Sequence, residues 1–228
     1  NIFIEIRTKE NNDKNLVLIF YQEQFEVHKT QIKEIINYIR SSEFKFNTTV
    51  LFTYGNKQPV NKRGMIYGSN IFVKNLNTNQ DYTVLICDFD TKDSKVTANS
   101  NGITAPSWLI KNCYQAFYNN SLTQSIPVFY LSQIFNLPFY TEPILQDFLE
   151  NEIPAVKLNL SQNLTQEQTV NIIKDSVLNF SQSTSSTWDH HFILFRYFNK
   201  FITFSEAMTI KTIVFIILII SLFFNSIY

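Results

Sequence analysis

Asp88 is the residue best placed to do chemistry. It follows directly on Tyr82-Thr83-Val84-Leu85-Ile86-Cys87, a run with the composition of a buried strand. An open parallel sheet offers its chemistry just past the carboxyl ends of its strands. Thr48–Thr53 is a second such strand, and Gly55-Asn56-Lys57-Gln58-Pro59 follows it as a loop at the same end. A reaction would sit between that loop and Asp88.

A carboxylate there needs company, and the company is thin. Of three histidines, His28 falls at the start of a helical stripe and is expected to pack at a helix end. Asp189-His190-His191 holds the other two; neighbours in sequence rarely converge on one ion, so an interfacial role is expected. Asp88, Asp90 and Asp93 lack the turn glycine and terminal glutamate of a calcium loop. Ser69 has no acid or imidazole placed to activate it and is expected to cap a helix over Asn70–Leu76. Cys87 and Cys113 make no disulfide framework, and Cys87, inside a strand, is expected to be a core residue. The sequons at Asn47, Asn159 and Asn163 are expected by chance in so Asn-rich a chain.

The elements that must hold these residues alternate between strand and helix. Asn1–Thr8 alternates as a half-buried strand. Leu16–Phe20 is continuously apolar, as for a strand covered on both faces. Ile32, Ile35, Ile36 and Ile39 share a helical stripe within 27–40, so Leu16 to Thr53 forms a β-α-β unit with a parallel strand pair. Thr91–Gly102 is a polar loop, and Pro106 opens a helix that buries Trp108, Leu109, Cys113 and Phe117. An extended segment at Pro127–Leu131, a short helix at Ile144–Asn151 and a strand at Ile153–Leu158 follow. Thr165 and Gln168 form a capping box for a helix burying Val170, Ile173, Val177 and Phe180.

The chain has 228 residues, with Lys+Arg and Asp+Glu both at 19, a balance that argues against nucleic acid as a partner. Beyond a Ser/Thr-rich linker at 182–187 its chemistry changes. Residues 188–208 are dense in aromatics with Arg196 and Lys200 interspersed, the composition of a membrane-proximal segment. Residues 209–228 are free of charge after Lys211 and are expected to form a transmembrane helix; their apolar run from Ile213 reaches the chain end slightly short of the roughly 20 residues a span needs. The chain opens on Asn1 and stops inside this apolar run, so we expect it to be an excerpt of a longer polypeptide.

The order of elements resembles the zinc aminopeptidase fold of peptidase family M-twenty-eight, which has non-catalytic relatives such as nicastrin. The resemblance covers Asn1 to about Ser181. Leu16–Gln22 is similar to the family strand ending in a His-x-Asp metal motif, and Thr48–Lys57 to the strand ending in paired glutamates. Gly68-Ser69 resembles the Gly-Ser after that pair. Leu85-Ile86-Cys87-Asp88 resembles the strand ending in a ligand Asp, and Ile153-Pro154-Ala155-Val156 the stretch after the last ligand His. The departures carry the functional implication. Phe20 and Gln22 stand where the first ligands would, Gly55-Asn56-Lys57 replaces the glutamates, and Ile144, Leu145 and Gln146 occupy the region of the last His. Asp88 alone stands at a ligand position, and one carboxylate does not hold zinc.

The expectation is therefore an α/β three-layer sandwich over residues 1–181, with a mostly parallel central sheet and a C-terminal transmembrane helix. No catalytic, cofactor-binding or metal residue is assigned. The implied role is a membrane-anchored binding or scaffold module, its partners the membrane and a peptide or another membrane protein. The resemblance favours an extracytoplasmic side for the domain. An active membrane-bound exopeptidase with ligands not recognised here, or a structural subunit of a membrane complex, are the alternatives.

Overall fold

A computed structural model of the chain describes residues 2–7, 13–54, 68–76, 80–123, 142–183, 188–189, 192–205, 211–217 and 219. Strand β2 (Lys14–Tyr21) is its centre. Leu16 through Phe20 are fully buried, so both faces of the strand are covered, as the unbroken apolar run requires. A short 3₁₀ turn leads to α1 (Phe25–Ser41), whose Ile32, Ile35, Ile36 and Ile39 stripe is buried, and then to β3 (Asn47–Thr53). β2 and β3 run parallel with Leu18 opposite Val50, so the β-α-β unit is present.

Helix α2 (Gly68–Lys74) precedes β4 (Asp81–Thr91), which pairs parallel with β2 through Leu18 and Leu85. β5 (Lys95–Thr97), β6 (Asn99–Ser100) and β7 (Ile103–Thr104) then come before α3 (Ser107–Asn119). Helix α4 (Pro143–Leu149), β8 (Ala155–Ser161) and α5 (Gln166–Gln182) complete the run. The capping box at Thr165 has both of its halves, Gln168 N–H to the Thr165 hydroxyl and Thr165 N–H to the Gln168 side chain.

The six-stranded sheet has the order β1 (Ile2–Ile6), β3, β2, β4, β8, β5. Its four inner strands are parallel, and each edge strand is antiparallel to its neighbour. The chain is thus a mixed α/β domain with a central sheet and flanking helices. Helix α5 packs on both α1 and α3: Lys174 pairs with Glu34 at 2.7 Å, and Asn112 and Asn179 exchange side-chain-to-backbone hydrogen bonds. α2 and α4 form a second set, joined where the Ser69 hydroxyl donates to Asp147 Oδ2 at 2.5 Å.

Three expectations are corrected. Ser69 is not a cap; it lies inside α2, and its buried hydroxyl is spent on Asp147. The stretch Thr91–Gly102 is not all loop, because β5 pairs with β8 as the edge strand of the sheet, with Val96 opposite Leu158. The described part of 188–208 packs on the domain. β9 (Phe192–Tyr197) and β10 (Lys200–Ser205) form a hairpin whose Phe192, Leu194 and Phe201 join the main core, with Phe201 edge-on to Tyr114 at 5.5 Å. Among the described residues no helix is long and apolar enough to cross a membrane; only 211–217 and 219 of the apolar end are described, as helix. The loop at Gly55–Pro59, the segment at Pro127–Leu131, most of the linker at 182–187 and His190-His191 lie outside the described residues.

Candidate functional site

The carboxyl ends of β2, β4 and β8 meet in one row of polar side chains. Asp88 does not lie beyond its strand. It is inside β4 and opposite Asn159 of β8, with a bulge between Asp88 and Thr91. Tyr21 comes one step after the Phe20–Cys87 pairing, so it shares the face of Asp88. Lys157, opposite Ile86, lies on that face too, one pleat behind.

Lys157 is the hub. Its ammonium is 3.0 Å from Asp88 Oδ2, hydrogen-bonds Glu142 Oε1, and lies 5.5 Å from the Tyr21 ring centroid. Two carboxylates and an aromatic ring thus enclose the cation. Glu142 is fixed just before α4 because its backbone N–H and C=O both bond the Ser100 hydroxyl of β6. The second oxygen of Asp88 accepts from Gln24 Nε2 at 2.9 Å. Gln24 is itself locked to the bulge, bonding both the N–H and the C=O of Phe89.

Burial alone would lower the Lys157 ammonium, but Tyr21, Asp88 and Glu142 around it raise it above its ordinary value, so it is charged at neutral pH. Burial pushes the Tyr21 hydroxyl up, the positive Lys157 only partly opposing it, so it stays protonated. Neither thiol is a nucleophile: burial raises Cys87, and pushes Cys113 up to about 12.

A second cluster lies two residues along β4. His28 Nε2 is 2.8 Å from Asp90 Oδ2, and its Nδ1 is 2.6 Å from Gln31 Oε1. The ring stacks on Phe89 at 4.5 Å. Two backbone irregularities meet here, since α1 loses helical geometry at His28 and Asp90 has φ 59°. They flank a pocket of about 190 Å³ rimmed by Gln31, Ser161, Gln162, Gln166 and Thr169.

The expected site residues come out unevenly. Phe20, Ile144 and Leu145 are core side chains, and Gln22 lies in the 3₁₀ turn. Asp189 bonds the Ser107 hydroxyl at the start of α3. Asp90 does not join Asp88 in a cation loop; it faces the other way, to His28. Asn159 is buried against Thr97 and cannot carry a glycan. Sequence reasoning missed Lys157, although a lysine inside Ala155-Val156-Lys157-Leu158 is the informative signal of a buried charge. Nothing near Glu142 or Gln24 announced their roles.

The chain belongs to the TP_0564 family, whose first-domain profile matches residues 2–204. That span takes in the hairpin together with the sheet. No curated protein matches the chain. Among solved structures it is similar to a candidate Zn-dependent exopeptidase from Bacteroides vulgatus, at 10% identity and a TM-score of 0.45, over 80% of this chain and 72% of that one. At that level the likeness assigns no residue a role.

Proposed function

We propose that this is a metal-free, non-catalytic binding or scaffold domain with the three-layer layout of the zinc aminopeptidases, held at a membrane by its apolar C-terminal stretch. The observation that carries the reading is the enclosure of Lys157. At the sheet end where an α/β enzyme would keep an open, reactive group, a side-chain cation is held between two anchored carboxylates and the Tyr21 ring. The residues present do not fit zinc. A zinc ligand set needs several imidazoles and carboxylates free to turn inward, whereas Asp88 is held by Lys157 and Gln24, and Phe20, Ile144 and Leu145 are core. Among the described residues no three His, Cys, Asp or Glu side chains are grouped to hold a metal.

The anchor is supported by the described part of 211–219. Ile213, Val214, Phe215, Ile216 and Ile217 are all exposed, so this helical stretch finds no cover on the domain, and the sequence carries no charge from Thr212 to Tyr228. The partner would be a polypeptide, a peptide or another membrane protein, met on the outside of the domain. The test is a carbonate wash of membranes holding the full chain. Retention supports the anchor, and release of the chain into the wash defeats it.

A further inference from the structure

We propose that the outer face of the β9–β10 hairpin lies flat on an anionic lipid bilayer; the idea rests on the anchor reading, which brings that bilayer within reach. Strand alternation sends Phe192, Leu194 and Phe201 into the core, so the paired residues Ile193 and Phe204, Phe195 and Ile202, Tyr197 and Lys200 share the other face. A sheet with one solvated face ordinarily turns polar residues outward. This one turns out an apolar ladder, with Phe195 stacked on Phe204 at 5.6 Å and Ile193 and Tyr197 well exposed.

The turn adds an independent observation. A two-residue hairpin turn favours Asn or Gly at positive φ, yet Phe198 stands there at φ 50° with 79% of its surface exposed. Local physics disfavours that ring on both counts, and an apolar phase that receives it reverses the second. Charge points the same way. Lys200 is the charged residue on this face and complements anionic headgroups, whereas Arg196, paired with Phe201, lies on the opposite face over the Tyr118 ring. Continuity identifies the phase: five residues separate Ser205 from the helical stretch at 211, a reach of about 20 Å at most. An aromatic plate with a lysine at its turn end, tethered so close to an apolar helical stretch, fits the headgroup–acyl boundary.

The experiment places one nitroxide per chain at Phe195, Ile202, Ile216 or, as a control on α1, Glu26, each through a cysteine substitution. Cys87 and Cys113 are buried and do not compete for the label. The full chain goes into nanodiscs of mixed neutral and anionic lipid, and collision rates with oxygen and with a water-soluble nickel chelate are compared. The expected result is oxygen-dominated collision at 195, 202 and 216 and nickel-dominated collision at 26. Adding Lys200→Glu should move 195 and 202 toward the aqueous reading while 216 stays. Nickel-dominated collision at 195 and 202 with 216 in lipid overturns the inference and leaves the anchor standing. A nickel-dominated 216 defeats the anchor itself, and the inference with it. Labels at 195 and 202 shielded from both reagents would mean that a protein, a second copy or a partner, covers the face, and would also overturn it.

Discussion

The carboxyl end of the sheet and the outer face of the hairpin are opposite solutions to surface design. At the sheet end, charge is taken into the core and closed: Lys157, Asp88 and Glu142 satisfy one another, and Gln24 and Ser100 hold the acids in place. On the hairpin, apolar groups are turned outward and left open, down to a phenylalanine in a turn that suits glycine. In the first arrangement the cation and the acids are committed to one another. In the second, no described group of the domain covers the outer face. Both features fit the binding role proposed above.

The largest effect should come from opening the closed end. Lys157→Met leaves Asp88 and Glu142 buried without a cation and should cost about 3–5 kcal/mol in a urea titration. Replacing all three with neutral residues of similar size, as Lys157→Met with Asp88→Asn and Glu142→Gln, should recover most of that loss. A single variant as stable as the parent would mean that the cluster is solvated, not closed. The same cluster sets the alkaline limit. Lys157 and Tyr21 are both raised on folding, from ordinary values of 10.5 and 10.0. Each contributes stability that is complete below its unfolded value and lost as pH rises toward its folded one. Urea midpoints should therefore be level from pH 7 to 9 and fall above about pH 10; in the neutral triple variant the part of the fall due to Lys157 should vanish, while the part due to Tyr21, raised first by its burial, remains.

Asp90→Asn is the intermediate case. Asparagine tolerates the same left-handed backbone, so the change isolates the bond to His28, and with the pair partly exposed it should cost about 1 kcal/mol. The smallest effect has the opposite sign. Phe198→Gly removes a strained side chain and should leave stability unchanged or raised by up to about 1 kcal/mol, while weakening the hairpin's hold on anionic lipid discs. A clear loss of stability would mean that the ring packs on the domain and would blur the contrast between the two regions.

The scaffold was legible because its signals are periodic. The unbroken Leu16–Phe20 run, the Ile32/Ile36 stripe and the Thr165–Gln168 box each follow from local spacing, and each is realised as read. The hairpin was hidden by its aromatics: Phe192 to Phe204 alternates inward and outward, but both faces are apolar, so composition pointed to a membrane-proximal segment before it pointed to a strand pair. The site was hidden by distance. Gln24 reaches Asp88 across 64 residues, and Glu142 reaches Lys157 from the residue ahead of a helix, contacts that no spacing rule encodes. Only Lys157 left a mark, as a charge in a strand that should have none.

Metal content tests the central claim most directly. The full chain, supplied with zinc and dialysed, should retain close to none when its bound metal is counted by mass spectrometry, because Lys157 already holds the acids that a metal would need. Two zinc ions per chain would contradict the account and return the domain to the peptidases.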